Sequence, residues 1–313
     1  MADSSASPAP AGRPELPPGG IDVRRDGADG AALRMMRWDL GDSKGRILFS
    51  GGKRDFIERH YKTYVRMLAE GFSVTALDWR AQGLSARGQG GTLALFDEME
   101  ADFAAILLAE AAREGAALNV AAHSMGAHMV LRTLTARPEL QRHVRRIVLF
   151  APMFGIGGSR LPPRLVEAAA RLACRSGRGD DFAPGQIAYG PEYRSERRRD
   201  RLTGDRTRYD AGFRWIEETP ALGADGATWA WVAAALRSCR ELFAPGRLER
   251  VEVPVLILQA GLERVVDPRA TAVACARLPH VRCETLAEGR HELQLETDAV
   301  QDRMWPMIWE FLS

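Results

Sequence analysis

The chain is 313 residues long and 46% of its residues are hydrophobic, which suits one large α/β domain or a domain with a substantial insertion. Its 43 basic and 41 acidic residues give a net charge of +2, so no overall field indicates a nucleic-acid partner. No run of 18 apolar residues occurs, so the sequence predicts no transmembrane helix.

Residues 1–20 are rich in Ala, Pro, Gly and Ser, and they contain no apolar stretch typical of a signal peptide. We predict that they form a disordered leader. The four cysteines show no C-x-x-C spacing, so we expect reduced thiols and a soluble, cytoplasmic protein. These cysteines are Cys174, Cys239, Cys275 and Cys283.

From residue 32 onward, segments with the patterns of strands and helices alternate along the chain. The predicted strands span residues 32–38, 46–50, 72–77, 118–122, 147–150, 253–259 and 281–286. The predicted helices span residues 56–69, 97–112, 126–134 and 298–312, and Pro306 should kink or break the last one. Because continuous apolar strands alternate with helices, we predict a mostly parallel sheet covered on both faces.

Residues 155–250 interrupt this alternation, and we predict that they form a helical lid on a core made of residues 21–154 and 251–313. The arginine-rich stretch 194–208 is typical of a solvated helical face, although it could also contact an anionic membrane surface. Its expected ion-pair partners are Glu192, Glu196, Asp200 and Asp205. Trp229 and Trp231 either form the interior of the lid or contact substrate.

Ser124 has the surroundings that a nucleophilic serine needs. The segment Ala122-His123-Ser124-Met125-Gly126 follows a predicted strand and opens a predicted helix. A serine at such a sharp turn between small residues is typical of a nucleophile elbow, which lifts the side-chain oxygen clear of the sheet. The usual pattern is G-x-S-x-G, and Ala122 replaces its first glycine.

His291 is the expected general base, because it lies on the loop between the last predicted strand and the last helix. We expect the other histidines to serve no such role: His123 points away from its neighbour Ser124, His128 is packed on the helix, and His280 precedes the strand. The acid that orients the base should follow strand 253–259. Glu263 and Asp267 both lie there, and the residues alone leave the choice open.

Catalysis at Ser124 also requires two backbone N–H groups that stabilise an oxyanion. One is expected at Met125, directly after the nucleophile, and the other on the loop Gly51-Gly52-Lys53-Arg54-Asp55. The two glycines would let this loop approach the substrate closely.

Several segments together resemble the bacterial lysophospholipases and monoacylglycerol lipases, a branch of the α/β-hydrolases often described as serine aminopeptidase-like. The similarity covers about residues 30–313. It is carried by the Ser124 motif and by Ala151-Pro152-Met153-Phe154-Gly155-Ile156, Leu77–Ser85, Leu258–Asp267 and His291-Glu292, and in the lid by Leu202-Thr203, Arg208-Tyr209 and residues 228–232. The sequence departs from the family at Ala81, where glycine is usual, and at Gly51, where lipases often have histidine.

The resemblance implies an α/β-hydrolase fold with Ser124 as nucleophile, Glu263 as acid and His291 as base. It also implies oxyanion amides at Lys53 and Met125. The expected activity is hydrolysis of a single-chain lipid ester without a metal or an organic cofactor. An aminopeptidase or small-ester hydrolase with the same triad is one alternative, and a non-catalytic ligand-binding protein is another. Transient contact with the inner face of the membrane would fit such a substrate, and the sequence leaves the oligomeric state undetermined.

Overall fold

The computed structural model describes residues 14–87, 91–159 and 161–313, and an eight-stranded sheet forms its centre. The strand order is β1-β2-β4-β3-β5-β6-β7-β8. The pairs β1–β2 and β2–β4 are antiparallel, and the six strands from β4 to β8 along this order are parallel to one another. The strands are β1 (Ile21–Asp26), β2 (Ala32–Trp38), β3 (Arg46–Ser50), β4 (Ser73–Leu77), β5 (Leu118–His123), β6 (Val144–Phe150), β7 (Val255–Ala260) and β8 (Val281–Leu286).

Helices cover both faces of the sheet. They are α1 (Tyr61–Ala69), α2 (Leu95–Glu114), α3 (Met125–Ala136), α4 (Pro163–Arg175), α5 (Glu196–Leu202), α6 (Arg206–Glu218), α7 (Trp229–Leu242), α8 (Pro268–Arg277) and α9 (Asp298–Leu312). Successive residues of a central strand enter opposite cores: Val120 packs with α2 and α3, whereas Ala121 packs with α1 and α9. The predicted mostly parallel, doubly covered sheet is therefore confirmed.

The segment between β6 and β7 contains α4 to α7, and its contacts with the core include hydrogen bonds to the loops after β7 and β8. The Gly157 N–H donates to the Val265 carbonyl at 2.9 Å, on the loop after β7. The Glu292 N–H donates to the Leu202 carbonyl at 2.8 Å, on the loop after β8. Within the described ranges, no helix is long and apolar enough to cross a membrane.

The predicted leader extends too far. Residues 14–20 are ordered, because Leu16 packs against the core and the Trp38 indole N–H donates to the Pro17 carbonyl at 2.9 Å. They lead into the edge strand β1, which the sequence patterns did not reveal. The remainder of the predicted leader, residues 1–13, lies outside the described residues.

Two further expectations are corrected. Cys275 and Cys283 form a disulfide rather than two thiols, because α8 and β8 bring their α-carbons to 6.4 Å. Cys174 and Cys239 are free. The helix α9 continues through Pro306, so the break is excluded, while a kink at this proline stays a prediction. The buried Trp305 and Ile308 pack on the core on either side of that proline, and this packing outweighs the loss of one helical hydrogen bond.

Candidate active site

Ser124 lies at the sharp turn between β5 and α3, with φ of 51° and ψ of −114°. This left-handed conformation is costly for a residue with a side chain, and the backbone around it is held in place. The Ser124 N–H donates to the Phe150 carbonyl at 2.9 Å, and its carbonyl accepts the Met153 N–H at 3.0 Å. A β-carbon at Gly126 would collide with the Gly51 carbonyl and lie 2.8 Å from Ser50 Oγ, so this position requires glycine.

His291 connects Ser124 with Glu263. Its Nε2 lies 2.9 Å from Ser124 Oγ, and its Nδ1 lies 2.9 Å from Glu263 Oε2. The side chains of His291 and Glu263 are each only 4% exposed. The order along this chain of contacts is hydroxyl, imidazole and carboxylate, which is the arrangement that increases the nucleophilicity of a serine.

The Glu263 carboxylate is held on both oxygens. Oε1 accepts the N–H groups of Arg264 and Val265 at 2.9 and 2.7 Å, while Oε2 faces His291. Burial alone would raise the pKa of Glu263, but the hydrogen bond and charge of His291 and the backbone N–H groups outweigh it and lower that pKa. Glu263 is therefore ionised and fixed in orientation beside the imidazole.

Asp267, the other candidate acid, has a different position. It precedes α8, and its Oδ1 accepts the Arg269 N–H at 3.0 Å, which caps that helix. Its own N–H donates to the Gly155 carbonyl at 3.0 Å. The structure thus brings Glu263 to His291 and places Asp267 at a helix start.

The loop after β3 lies against the nucleophile. A β-carbon on Gly52 would lie 2.9 Å from Ser124 Cβ, so glycine allows this approach. Met125 is the first residue of α3, and its N–H therefore has no acceptor inside the helix. Within the described part of the chain, neither the Lys53 N–H nor the Met125 N–H donates a hydrogen bond. Both amides are free to bind an oxyanion.

His123 and Asp55 form a buried connection that the sequence did not indicate. Nδ1 of the His123 ring lies 3.1 Å from Asp55 Oδ2, and its Nε2 lies 3.1 Å from the His291 carbonyl. Asp55 Oδ2 also accepts the Gly52 N–H at 2.5 Å. His123 therefore joins the Gly51–Asp55 loop to the loop that carries His291.

Both acceptors of His123 are oxygens without protons, so this geometry requires a proton on each ring nitrogen. Burial would lower the pKa of His123, but the hydrogen bond and charge of Asp55 outweigh it and raise that pKa. Asp55 also explains the departure at Gly51, since a β-carbon there would lie 2.6 Å from Asp55 Cβ. A histidine has no room at this position.

The tryptophans of the insertion lie in different surroundings. Trp231 is half-buried, 5.8 Å from the Phe96 ring, and Lys53 Nζ lies 5.3 Å from the Trp231 ring centre. Trp229 packs in the small apolar cluster that α4 and α7 share. His128 Nε2 lies 2.6 Å from Ser238 Oγ, and His280 is exposed beside Glu252. Of the two tryptophans, Trp231 is thus the one that contacts the Gly51–Asp55 loop.

A comparison with known protein families matches residues 41–298 to Hydrolase_4, the serine aminopeptidase S33 family. The chain belongs to this family. Among curated proteins, it is 30% identical over 247 residues to probable lysophospholipase L2 of Haemophilus influenzae, covering 78% of this chain and 76% of that protein. It is 27% identical over 305 residues to lysophospholipase L2 of Escherichia coli K12, covering 92% and 86%.

Solved structures of two lipases share the fold. A soluble variant of monoglyceride lipase from Saccharomyces cerevisiae superposes with a TM-score of 0.71 at 16% identity, covering 97% of this chain and 96% of that one. The monoacylglycerol lipase of Paleococcus ferrophilus gives 0.64 at 19% identity, covering 90% and 98%. The resemblance seen in the sequence and the α/β-hydrolase fold are both confirmed.

Proposed function

We propose that the protein hydrolyses the carboxylic ester of a single-chain lipid, a lysophospholipid or a monoacylglycerol, through an acyl-enzyme on Ser124. The observation that carries this proposal is the Ser124–His291–Glu263 arrangement, with 2.9 Å at each contact. Its position on an S33-family chain related to two lysophospholipases supports the ester substrate.

In the proposed mechanism, Ser124 Oγ attacks the ester carbonyl carbon while His291 Nε2 takes the hydroxyl proton. The carboxylate of Glu263 stabilises the resulting imidazolium. The N–H groups of Lys53 and Met125 donate to the oxyanion of the tetrahedral intermediate. When the intermediate collapses, the alcohol leaves with the proton from His291; a water molecule, activated by the same imidazole, then releases the fatty acid and restores Ser124.

We also propose that residues 155–250 act as a lid. Ser124 is 6% exposed and His291 is 4% exposed, so a lipid reaches them only when part of this segment moves. The aromatic ring of Trp231 and the neighbouring cations Lys53 and Arg54 suit an acyl chain with a polar head better than the charged amine of a peptide. An aminopeptidase would need a carboxylate that binds the amine of its substrate. Glu217 does not fit this role, because it is exposed and already forms an ion pair with Arg194.

The nucleophile is tested with Ser124→Ala. We expect kcat on any ester to fall by several orders of magnitude, because the remaining sites supply only binding and oxyanion effects. The variant should also lose labelling by a fluorophosphonate probe, whereas Ser176→Ala, at an exposed serine of the insertion, should keep both. Activity of Ser124→Ala within about tenfold of the wild type would refute the assignment.

The substrate class is tested with p-nitrophenyl esters from acetyl to palmitoyl, lysophosphatidylcholine, monoolein and aminoacyl-p-nitroanilides. We expect kcat/KM to rise with acyl length, since each buried methylene contributes up to about 0.8 kcal/mol. Preference for acetyl esters without turnover of either lipid would reject the lipase assignment. Anilide turnover above ester turnover would favour the aminopeptidase.

We further propose that the protein is cytoplasmic and peripheral at the membrane, and that α4 rather than the arginine-rich stretch faces the lipid. In that stretch Arg199 pairs with Glu196 and Asp200, and Arg208 pairs with Asp205, as the sequence predicted for a solvated face. Leu165 and Leu172 are two helical turns apart on α4, and with Leu161, just before this helix, they are 56–68% exposed.

Exposed arginines accompany this leucine face. Arg164 and Arg175 are exposed on the same helix, and neither pairs with a carboxylate of the described residues. An apolar stripe beside unpaired cations fits the surface of an anionic bilayer. Leu165→Ser with Leu172→Ser should weaken sedimentation with vesicles containing phosphatidylglycerol, while Leu108→Ser, at an exposed leucine of α2, should not. Equal binding of all three proteins would refute this surface.

A further inference from the structure

Two adjacent cations, Lys53 and Arg54, extend from the Gly51–Asp55 loop under the insertion. Lys53 Nζ donates to the Asp225 carbonyl at 2.9 Å and lies over the Trp231 ring. Arg54 Nε donates to the Ala224 carbonyl at 3.0 Å. Both side chains are partly buried, and both meet backbone carbonyls of one short segment before α7.

Their lack of a counter-charge distinguishes them from the other buried cations near the site. Arg34 lies 2.6 Å from Glu58, and Arg59 lies 2.6 Å from Glu292. In contrast, neither Lys53 nor Arg54 has a carboxylate oxygen within 4.0 Å among the residues that the structure describes. Arg54 stacks on the Tyr193 ring, 3.7 Å from its centre, and the charge of the more distant Asp225 acts on Lys53. Burying two neighbouring positive charges without a carboxylate in contact is still costly, so this place favours an anion.

The titration of Lys53 agrees with this interpretation. Burial and the neighbouring charge of Arg54 lower the pKa of Lys53 to about 7. A group whose charged form is disfavoured in this way regains its proton when an anion binds beside it. Arg54 also has a φ of 67°, which is a left-handed conformation. The backbone at Lys53 and Arg54 is therefore held in an arrangement that costs conformational energy.

We infer that Lys53 and Arg54 form a subsite for the headgroup phosphate of a lysophospholipid, so that phosphate-bearing lipids are preferred over neutral monoacylglycerols. The inference rests on the proposed function. In this arrangement the Lys53 amide meets the ester oxyanion and the Lys53 ammonium meets the phosphate. The ammonium carries three N–H donors, and the Asp225 carbonyl occupies one of them.

Covalent geometry supports this double role of Lys53. In a lysophospholipid, two ester oxygens and three glycerol carbons separate the carbonyl carbon from phosphorus. In lysine, the α-carbon and four side-chain methylenes separate the amide nitrogen from Nζ, which is the same number of atoms. A substrate whose carbonyl oxygen accepts the Lys53 N–H therefore has its phosphate within reach of the Lys53 ammonium.

The test compares oleoyl lysophosphatidylcholine with monoolein in the same nonionic mixed micelles, since the two share the acyl chain and the glycerol. Lys53→Met should lower the kcat/KM ratio of the phospholipid to monoolein by about tenfold or more, as for loss of a charged hydrogen bond. Lys53→Arg should largely restore the ratio. Lys44→Met, at an exposed lysine paired with Glu70, should leave it unchanged.

The wild type supplies a second measurement that needs no variant. Added salt should raise KM for lysophosphatidylcholine more than for monoolein, because it screens the contact with phosphate. Equal salt effects, or an equal fall of both activities in Lys53→Met, would overturn the phosphate subsite and leave the proposed hydrolase intact. If the wild type hydrolyses neither lipid, the proposed function itself fails.

Discussion

At the residue scale, sequence order indicated Ser124 and His291, whereas the contacts around them follow from the fold. The loop after β7 offers Glu263 and Asp267, and the residues alone did not decide between them. The structure separates them because backbone N–H groups hold Glu263 against His291, while Asp267 caps α8. The Asp55–His123 connection was missed because Asp55 and His123 are 68 positions apart and carry no recognisable spacing.

The roles of these two carboxylates give a paired prediction. Glu263→Gln should lower kcat by about 10² to 10⁴-fold, because a neutral amide no longer stabilises the imidazolium and permits the wrong tautomer of His291. Asp267→Asn should keep kcat within a few-fold, since asparagine caps a helix about as well as aspartate. Steady-state kinetics on one ester substrate decide the matter. A larger loss in Asp267→Asn would reverse the roles.

At the element scale, the patterns predicted the buried strands and missed β1, one of the two edge strands. The residues of β3 and β4 are buried throughout, so their apolar composition marks them as strands. In contrast, β1 alternates between exposed and half-buried residues, and it is ordered by pairing with β2 rather than by its own composition. The arrangement of α4 to α7 could not be predicted, because these helices pack on one another and on α2 and α3 through contacts that no sequence spacing specifies.

The turn after β4 supplies a stability prediction. Ala81 has a φ of 61°. This conformation costs a non-glycine residue about 1–2 kcal/mol, and the greater freedom of glycine in the unfolded chain offsets about 0.5–1 kcal/mol of that. Ala81→Gly should therefore raise the free energy of unfolding by about 0.5–1 kcal/mol.

Urea denaturation measures this change, with Ala86→Gly as the matched control. Ala86 lies near the same turn, and its φ is not positive. Glycine there gains no relief of strain and adds freedom to the unfolded chain, so it should lower the stability. A loss of stability in both variants would show that the conformation of Ala81 carries no strain.

At the scale of the whole molecule, the parallel sheet explains why distant segments meet. Four parallel strands have their carboxyl ends on the same side of the sheet, namely β3, β5, β7 and β8. The loops that follow them carry Lys53, Ser124, Glu263 and His291. This convergence follows from strand order and direction, which is why the sequence alone anticipated it. The position of residues 155–250 is different, since it depends on contacts between the insertion and the core that no sequence pattern indicates.

The insertion is fastened to the core partly through His128, and this contact should make folding sensitive to acid. His128 is fully buried on α3, one turn after Ser124, and its Nε2 lies 2.6 Å from Ser238 Oγ on α7. Burial and the nearby charge of Arg132 lower the pKa of His128 from 6.5 to about 3. The folded protein therefore excludes a proton that the unfolded chain binds below pH 6.5.

The sign of the effect follows from this difference. The contribution of neutral His128 to stability is complete above pH 6.5 and is lost as the pH falls towards 3. It changes by at most about 1.4 kcal/mol per pH unit, so the loss at pH 5 should be roughly 2 kcal/mol. Urea denaturation of the wild type and His128→Gln at pH 7 and pH 5 measures it, because every other titrating group contributes equally to both proteins. The variant should lose less stability on acidification than the wild type, and parallel losses would show that His128 is charged in the folded protein.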